Sequence, residues 1–107
     1  MPDELIRALR VYQEWDLFPK AMQLIADEYA RAVRLHPPMN SAHEGKAIID
    51  EELFELWQII MKKEENRDGR QMLEEAVQVA AMAVRFIVDV CLRDEARGSD
   101  SCGDKGI

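Results

Sequence analysis

The chain has 107 residues, of which 48% are apolar and 33% charged, with a net charge of −7. That length predicts one domain. The acidic balance excludes a surface built to neutralise nucleic-acid phosphates, which needs a basic stripe, and two cysteines, Cys91 in an apolar run and Cys102 in a polar one, suit a reducing, cytoplasmic setting rather than a disulfide framework.

No alternating strand pattern persists along the chain, so the expected class is all-α. Residues 3–14 read as a helix with Leu5, Leu9 and Tyr12 on one side. Met22, Ile25, Tyr29 and Val33 carry helical spacing on to about Leu35. Asp16 and Pro19 suit a fresh helix start, so 3–35 reads either as two helices or as one kinked helix. Pro37-Pro38 ends it. Ser41-Ala42-His43-Glu44 is a capping box, which places His43 in a structural role and starts a helix running to about Glu64. Asn66-Arg67-Asp68-Gly69 reads as a turn. The last helix begins near Gly69, capped by Asp68 or Gly69, and ends near Asp94. Residues 1–95 form the expected domain, and the small, polar residues 96–107 an expected disordered tail. The start of the chain shows no apolar run of signal type. The apolar run 76–92 is broken by Gln78, Arg85 and Asp89 and is shorter than the ~20 residues a membrane span requires. It predicts a buried helix and no membrane contact.

At ~100° per residue the third helical segment shows three faces. Ile49, Leu53, Leu56 and Ile60 form an expected core stripe. Phe54, Trp57 and Met61 form a second apolar stripe. Ile48, Glu52, Glu55, Ile59 and Lys62 share the remaining flank. The apolar arc is wider than one surface helix of a monomer needs, which predicts a dimer or larger homo-oligomer. The last helix is apolar nearly all round. Its one polar strip, Gln71, Glu75, Gln78, Arg85 and Asp89, faces either solvent or an internal site.

The carboxylates carry the chemistry. Glu52 and Glu55, three apart, share one helix face, as do Glu75 and Gln78 on the next helix. Joined by a short turn, the two helices are antiparallel neighbours, and their acids would make an oxygen-rich box of the kind hard divalent cations take. Without a cation, two such charges at ~4 Å repel by roughly 4 kcal/mol at an effective dielectric near 20. The plainer alternative is a solvated acidic face. Neither histidine stands three residues after a glutamate, so the ligand pattern of di-iron bundles is missing. Gly-rich phosphate loops, nucleophile elbows and zinc spacings are missing too.

Glu51-Glu52-x-x-Glu55, a gap of 19 residues and Glu75-x-x-Gln78 resemble the E-E-x-x-E … E-x-x-D signature of the MazG-like all-α nucleotide pyrophosphohydrolases. The resemblance covers about residues 41–90. It implies an antiparallel bundle of three to four helices per chain, completed by oligomerisation, and Mg²⁺-dependent cleavage of nucleoside triphosphates to monophosphate and pyrophosphate, with Mn²⁺ as a substitute ion. Carried over by position, Glu52, Glu55 and Glu75 would be metal ligands and Glu51 a supporting carboxylate. Glu51 or Glu55 would position or deprotonate the attacking water. The chain departs from the signature at Gln78, which can offer a neutral carbonyl oxygen but no charge. Lys62 and Arg85 are the expected phosphate contacts, and Tyr12, Trp15 and Phe18 could stack a base. The competing expectation is a non-enzymatic helical dimer, an inactive or nucleotide-binding relative acting as an interaction module.

Overall fold

The computed structural model describes residues 2–93, and the side chains at 8, 9 and 11–14 lie outside that description, as does the tail 96–107. Every regular element among the described residues is helical. Helix α1 spans Asp3–Leu35 as one helix with Pro19 inside it, which settles the choice between one helix and two. At ~1.5 Å per residue it is about 50 Å long and runs the length of a molecule whose longest extent is 55 Å. Its C-terminal half packs Ile25, Tyr29 and Ala32 into the core. Its N-terminal half leaves Leu5, Ile6, Trp15, Leu17 and Phe18 exposed. The apolar side expected there at Leu9 and Tyr12 falls on side chains outside the description.

Helix α2 covers Ala42–Ile60 and starts as its capping box dictates. Ser41 Oγ accepts the Glu44 N–H at 3.1 Å, while the Glu44 carboxylate accepts the Asn40 N–H at 3.1 Å, one residue upstream of the usual partner. The helix stops at Ile60 instead of continuing to about Glu64. Arg67 explains the early stop. Its Nε donates to the Ile60 and Lys62 carbonyls at 3.1 and 3.2 Å, satisfying groups that another turn of helix would have used. A short 3-10 turn, Glu64–Asn66, leads to α3, Gly69–Phe86. Asp68 caps α3, its carboxylate accepting the Arg70 and Gln71 N–H groups at 3.0 and 3.3 Å. The helix then widens into a π-helical segment, Ile87–Leu92, which periodicity did not foretell.

Helix α3 lies between α1 and α2 and packs against both. The core is thin: Ala32, Met39, Ala81 and Met82, with Ile48, Ile49, Phe86 and Val90 around them. The inward face of α2 differs from the one expected. Leu53, assigned to the core stripe, is 50% exposed, whereas Ile59, assigned to the flank, is 6% exposed. Gly45 is the reason. A Cβ at Gly45 would lie 2.5 Å from the Phe86 ring and 3.1 Å from the Met39 sulfur, so only glycine lets them press onto the α2 backbone. That contact fixes the rotation of α2. Positions 45, 48, 52, 55 and 59 lie on one helical face, and this face carries Glu52 and Glu55 inward against α3. Phe54, Trp57 and Met61 are left exposed. The radius of gyration, 17.8 Å, exceeds the ~13 Å of a compact domain this long. No described helix is long and apolar enough to cross a membrane.

Candidate metal centre

The rotation imposed at Gly45 and the start of α3 at Asp68 bring three acids together. Glu52, Glu55 and Glu75 are half-buried, and one oxygen from each lies within 4.8 Å of the others. Glu52 Oε2 and Glu75 Oε2 are buried without any hydrogen-bond partner. Burial is the main reason the Glu52 carboxyl is pushed up to about 7, with the charges of Glu55, Glu75, Glu51 and Glu28 adding to it. Glu75 is raised as well, first by burial, then by the charge of Glu55 and a hydrogen bond shared with it. Glu51 is exposed and acts on the neighbouring Glu52 through its charge. Three clustered acids, two of them with an orphaned oxygen, fit a hard divalent cation, which takes oxygen donors and offsets negative charge. Gln78, one turn beyond Glu75, is half-buried and lines the cleft beside the cluster, together with Glu52.

That cleft encloses about 360 Å³ between the end of α1, the 36–40 loop, α2 and α3. Its walls combine apolar Ala32, Met39, Ile48 and Met82 with polar Glu28, Arg31, His36 and Glu52. Gln78 also lines a neighbouring groove of about 420 Å³, again with Glu28 and Arg31. Glu28 and Arg31 form a two-pronged pair, Nε to Oε1 at 3.0 Å and Nη2 to Oε2 at 2.9 Å. Reasoning from the carboxylate motif alone misses both. The signal was present: Glu28 sits between Ile25 and Ala32 on the inward stripe of α1, where a surface acid does not belong.

No family model, curated protein or solved structure matches this chain.

The remaining expected site residues are placed as follows. Arg85 is buried on α3 and lines the cleft. Its guanidinium donates to the carbonyls of Ala32 and Pro37 at 3.3 and 3.0 Å and pairs with Asp89 at 3.3 Å. Its Nε is buried without a partner. Lys62 is exposed beyond the end of α2 and is not among the residues of the cleft, because the helix face that would have carried it toward Glu55 stops at Ile60. Trp15 and Phe18 are exposed on the N-terminal half of α1, away from the cleft lining. The Tyr12 side chain lies outside the description. Chemically, the arrangement offers anionic oxygens on one side and a half-apolar cleft with two guanidinium groups on the other.

Proposed function

We propose that this chain is a Mg²⁺-dependent nucleoside triphosphate pyrophosphohydrolase, acting as a homo-oligomer. The observation that carries this reading is the meeting of Glu52, Glu55 and Glu75 beside a cleft of about 360 Å³, a volume in the range of small-molecule sites. Glu52, Glu55 and Glu75 would hold the ion, with Gln78 offering a neutral oxygen at the edge. Bound Mg²⁺ would neutralise and orient triphosphate oxygens.

The chain's own residues supply the rest. Glu51 or Glu55 accepts a proton from the attacking water. The water oxygen adds to the α-phosphorus, and the bond from that phosphorus to the pyrophosphate oxygen breaks. Glu28 brings a carboxylate from α1 close enough to act on Glu52. Arg31 is the accessible cation of the cleft and meets phosphate oxygens.

Trp57, Phe54 and Met61 are 52%, 58% and 56% exposed on one face of α2. A contiguous apolar face of this kind marks a protein contact, and a second copy is the simplest partner. The same face would serve an interaction module without catalysis, so the assay must separate the two. Wild-type protein with Mg²⁺ is expected to release pyrophosphate from at least one member of a panel of canonical and damaged nucleoside triphosphates. Glu55→Gln should abolish that release while preserving the oligomer. Trp57→Ser should shift light scattering toward monomer. A silent panel combined with an intact oligomer would favour the module.

A further inference from the structure

Asp89 and Met39 are 50 residues apart in sequence, yet Asp89 Oδ2 accepts the Met39 backbone N–H at 3.0 Å. Oδ2 also faces Arg85 Nη2 at 3.3 Å, with side-chain exposures of only 5% for Arg85 and 3% for Asp89. Arg85 in turn donates to the carbonyls of Ala32, His36 and Pro37 at 3.3, 3.5 and 3.0 Å. One carboxylate in the π-helical turn thus fixes the end of α1 and both sides of the 36–40 loop. His36, Pro37 and Met39, the loop residues so held, line the cleft that contains Glu52. Asp89 does not line it. A buried ion pair contributes little net stability relative to apolar packing, but its directed bonds fix geometry.

We propose that Asp89 is a positioning residue: acting through Arg85 and the Met39 amide, it sets the 36–40 loop as the wall of the cleft and thereby governs nucleotide affinity. The proposal rests on the pyrophosphohydrolase reading above. It separates two jobs along α3, ion holding near Glu75 and cleft shaping near Asp89. About 15 Å of helix separates Glu75 from Arg85, so the second can be disturbed while the first is left in place.

The test uses Asp89→Asn in the full chain. Asparagine can still accept the Met39 N–H but no longer offers a charge to Arg85. Calorimetry measures Mg²⁺ alone, then the α,β-methylene nucleoside triphosphate that wild type binds most tightly. Hydrogen exchange reads the Met39 amide. The expected result is faster exchange at Met39, analogue affinity about tenfold weaker and Mg²⁺ affinity changed by less than about twofold. A merely structural role would lower the melting temperature and leave the affinity of the folded protein unchanged. Pro37→Gly loosens the loop from its exposed side with the Arg85–Asp89 pair intact. It should weaken the analogue in the same direction, and it carries the test if Asp89→Asn does not fold. Wild-type analogue affinity in folded Asp89→Asn and Pro37→Gly, whatever the exchange at Met39, would overturn the positioning role alone. A wild type that binds neither Mg²⁺ nor any analogue would overturn the pyrophosphohydrolase reading and this proposal with it.

Discussion

Ten residues apart in sequence on α3, Glu75 and Arg85 stand in opposite electrostatic conditions. Arg85 is buried with a carboxylate and several backbone carbonyls around it, and Asp89 has Arg85, Arg93 and the Met39 amide. Glu75 has two other acids within 4.8 Å and a buried oxygen with no partner. Glu75 and Arg85 both face inward, so burial alone does not separate them. Partnership does. Where opposite charges and carbonyls meet, the charges fix the chain's path. Where only like charges meet, the fold holds a repulsion that a cation would relieve.

Breaking the oppositely charged pair has the largest expected effect. Arg85→Ala leaves Asp89 buried without its main counter-charge and frees the carbonyls that end α1. Urea unfolding should show a loss of about 3–5 kcal/mol, the scale for removing one partner of a buried pair. Next comes Gly45→Ala, which sharpens the comparison from the α2 side. The added methyl meets the Phe86 ring and the Met39 sulfur, and overpacking of this kind costs about 1–3 kcal/mol. It should also turn Glu52 away from Glu75, so Mg²⁺ affinity should fall along with stability.

Removing a charge from the acid cluster should act the other way. Glu55→Gln is expected to raise metal-free stability by up to about 1 kcal/mol once solvent screening is counted, and to abolish the rise in Tm on adding Mg²⁺. The smallest effect is on pH. The Glu52 carboxyl is raised from 4.5 to about 7, so the folded state holds its proton more tightly than the unfolded state. The resulting stability is fully present below about pH 4.5 and is lost as pH rises through about 7. Glu75 shifts in the same direction. Metal-free protein should therefore melt higher at pH 5 than at pH 8, measured by calorimetry. Mg²⁺ should raise the pH 8 value more than the pH 5 value.

The helical class, the Ser41 and Asp68 caps, and the neighbourhood of Glu52, Glu55 and Glu75 were legible in the sequence, because each depends on spacing within one helix or on a short connection. The parts that were not legible depend on contacts across the chain. Leu53 and Ile59 exchanged roles because the rotation of α2 is set by a glycine meeting Phe86, more than 40 residues away. Lys62 left the site because the Arg67 side chain ends the helix early. Glu28 and Arg31 entered the site from a helix outside the carboxylate motif, and only the docking of α1 against α3 brings them there. Arg85 and Asp89 stand four residues apart on the polar strip. Their grip on the 36–40 loop appears only once α1, the loop and the π-helical turn are in place.

The most direct test of the metal centre is a calorimetric titration of Mg²⁺ into the metal-free protein at pH 8, where Glu52 is ionised. Saturable binding in the millimolar range or tighter is the expected result, lost in Glu55→Gln and strengthened in Gln78→Asp, which adds a fourth acid beside the cluster. No binding of Mg²⁺ or Mn²⁺ at millimolar concentration, in the wild type or in Gln78→Asp, would contradict the account. Glu52, Glu55 and Glu75 would then be no more than an acidic face, and the enzymatic reading would fall with them.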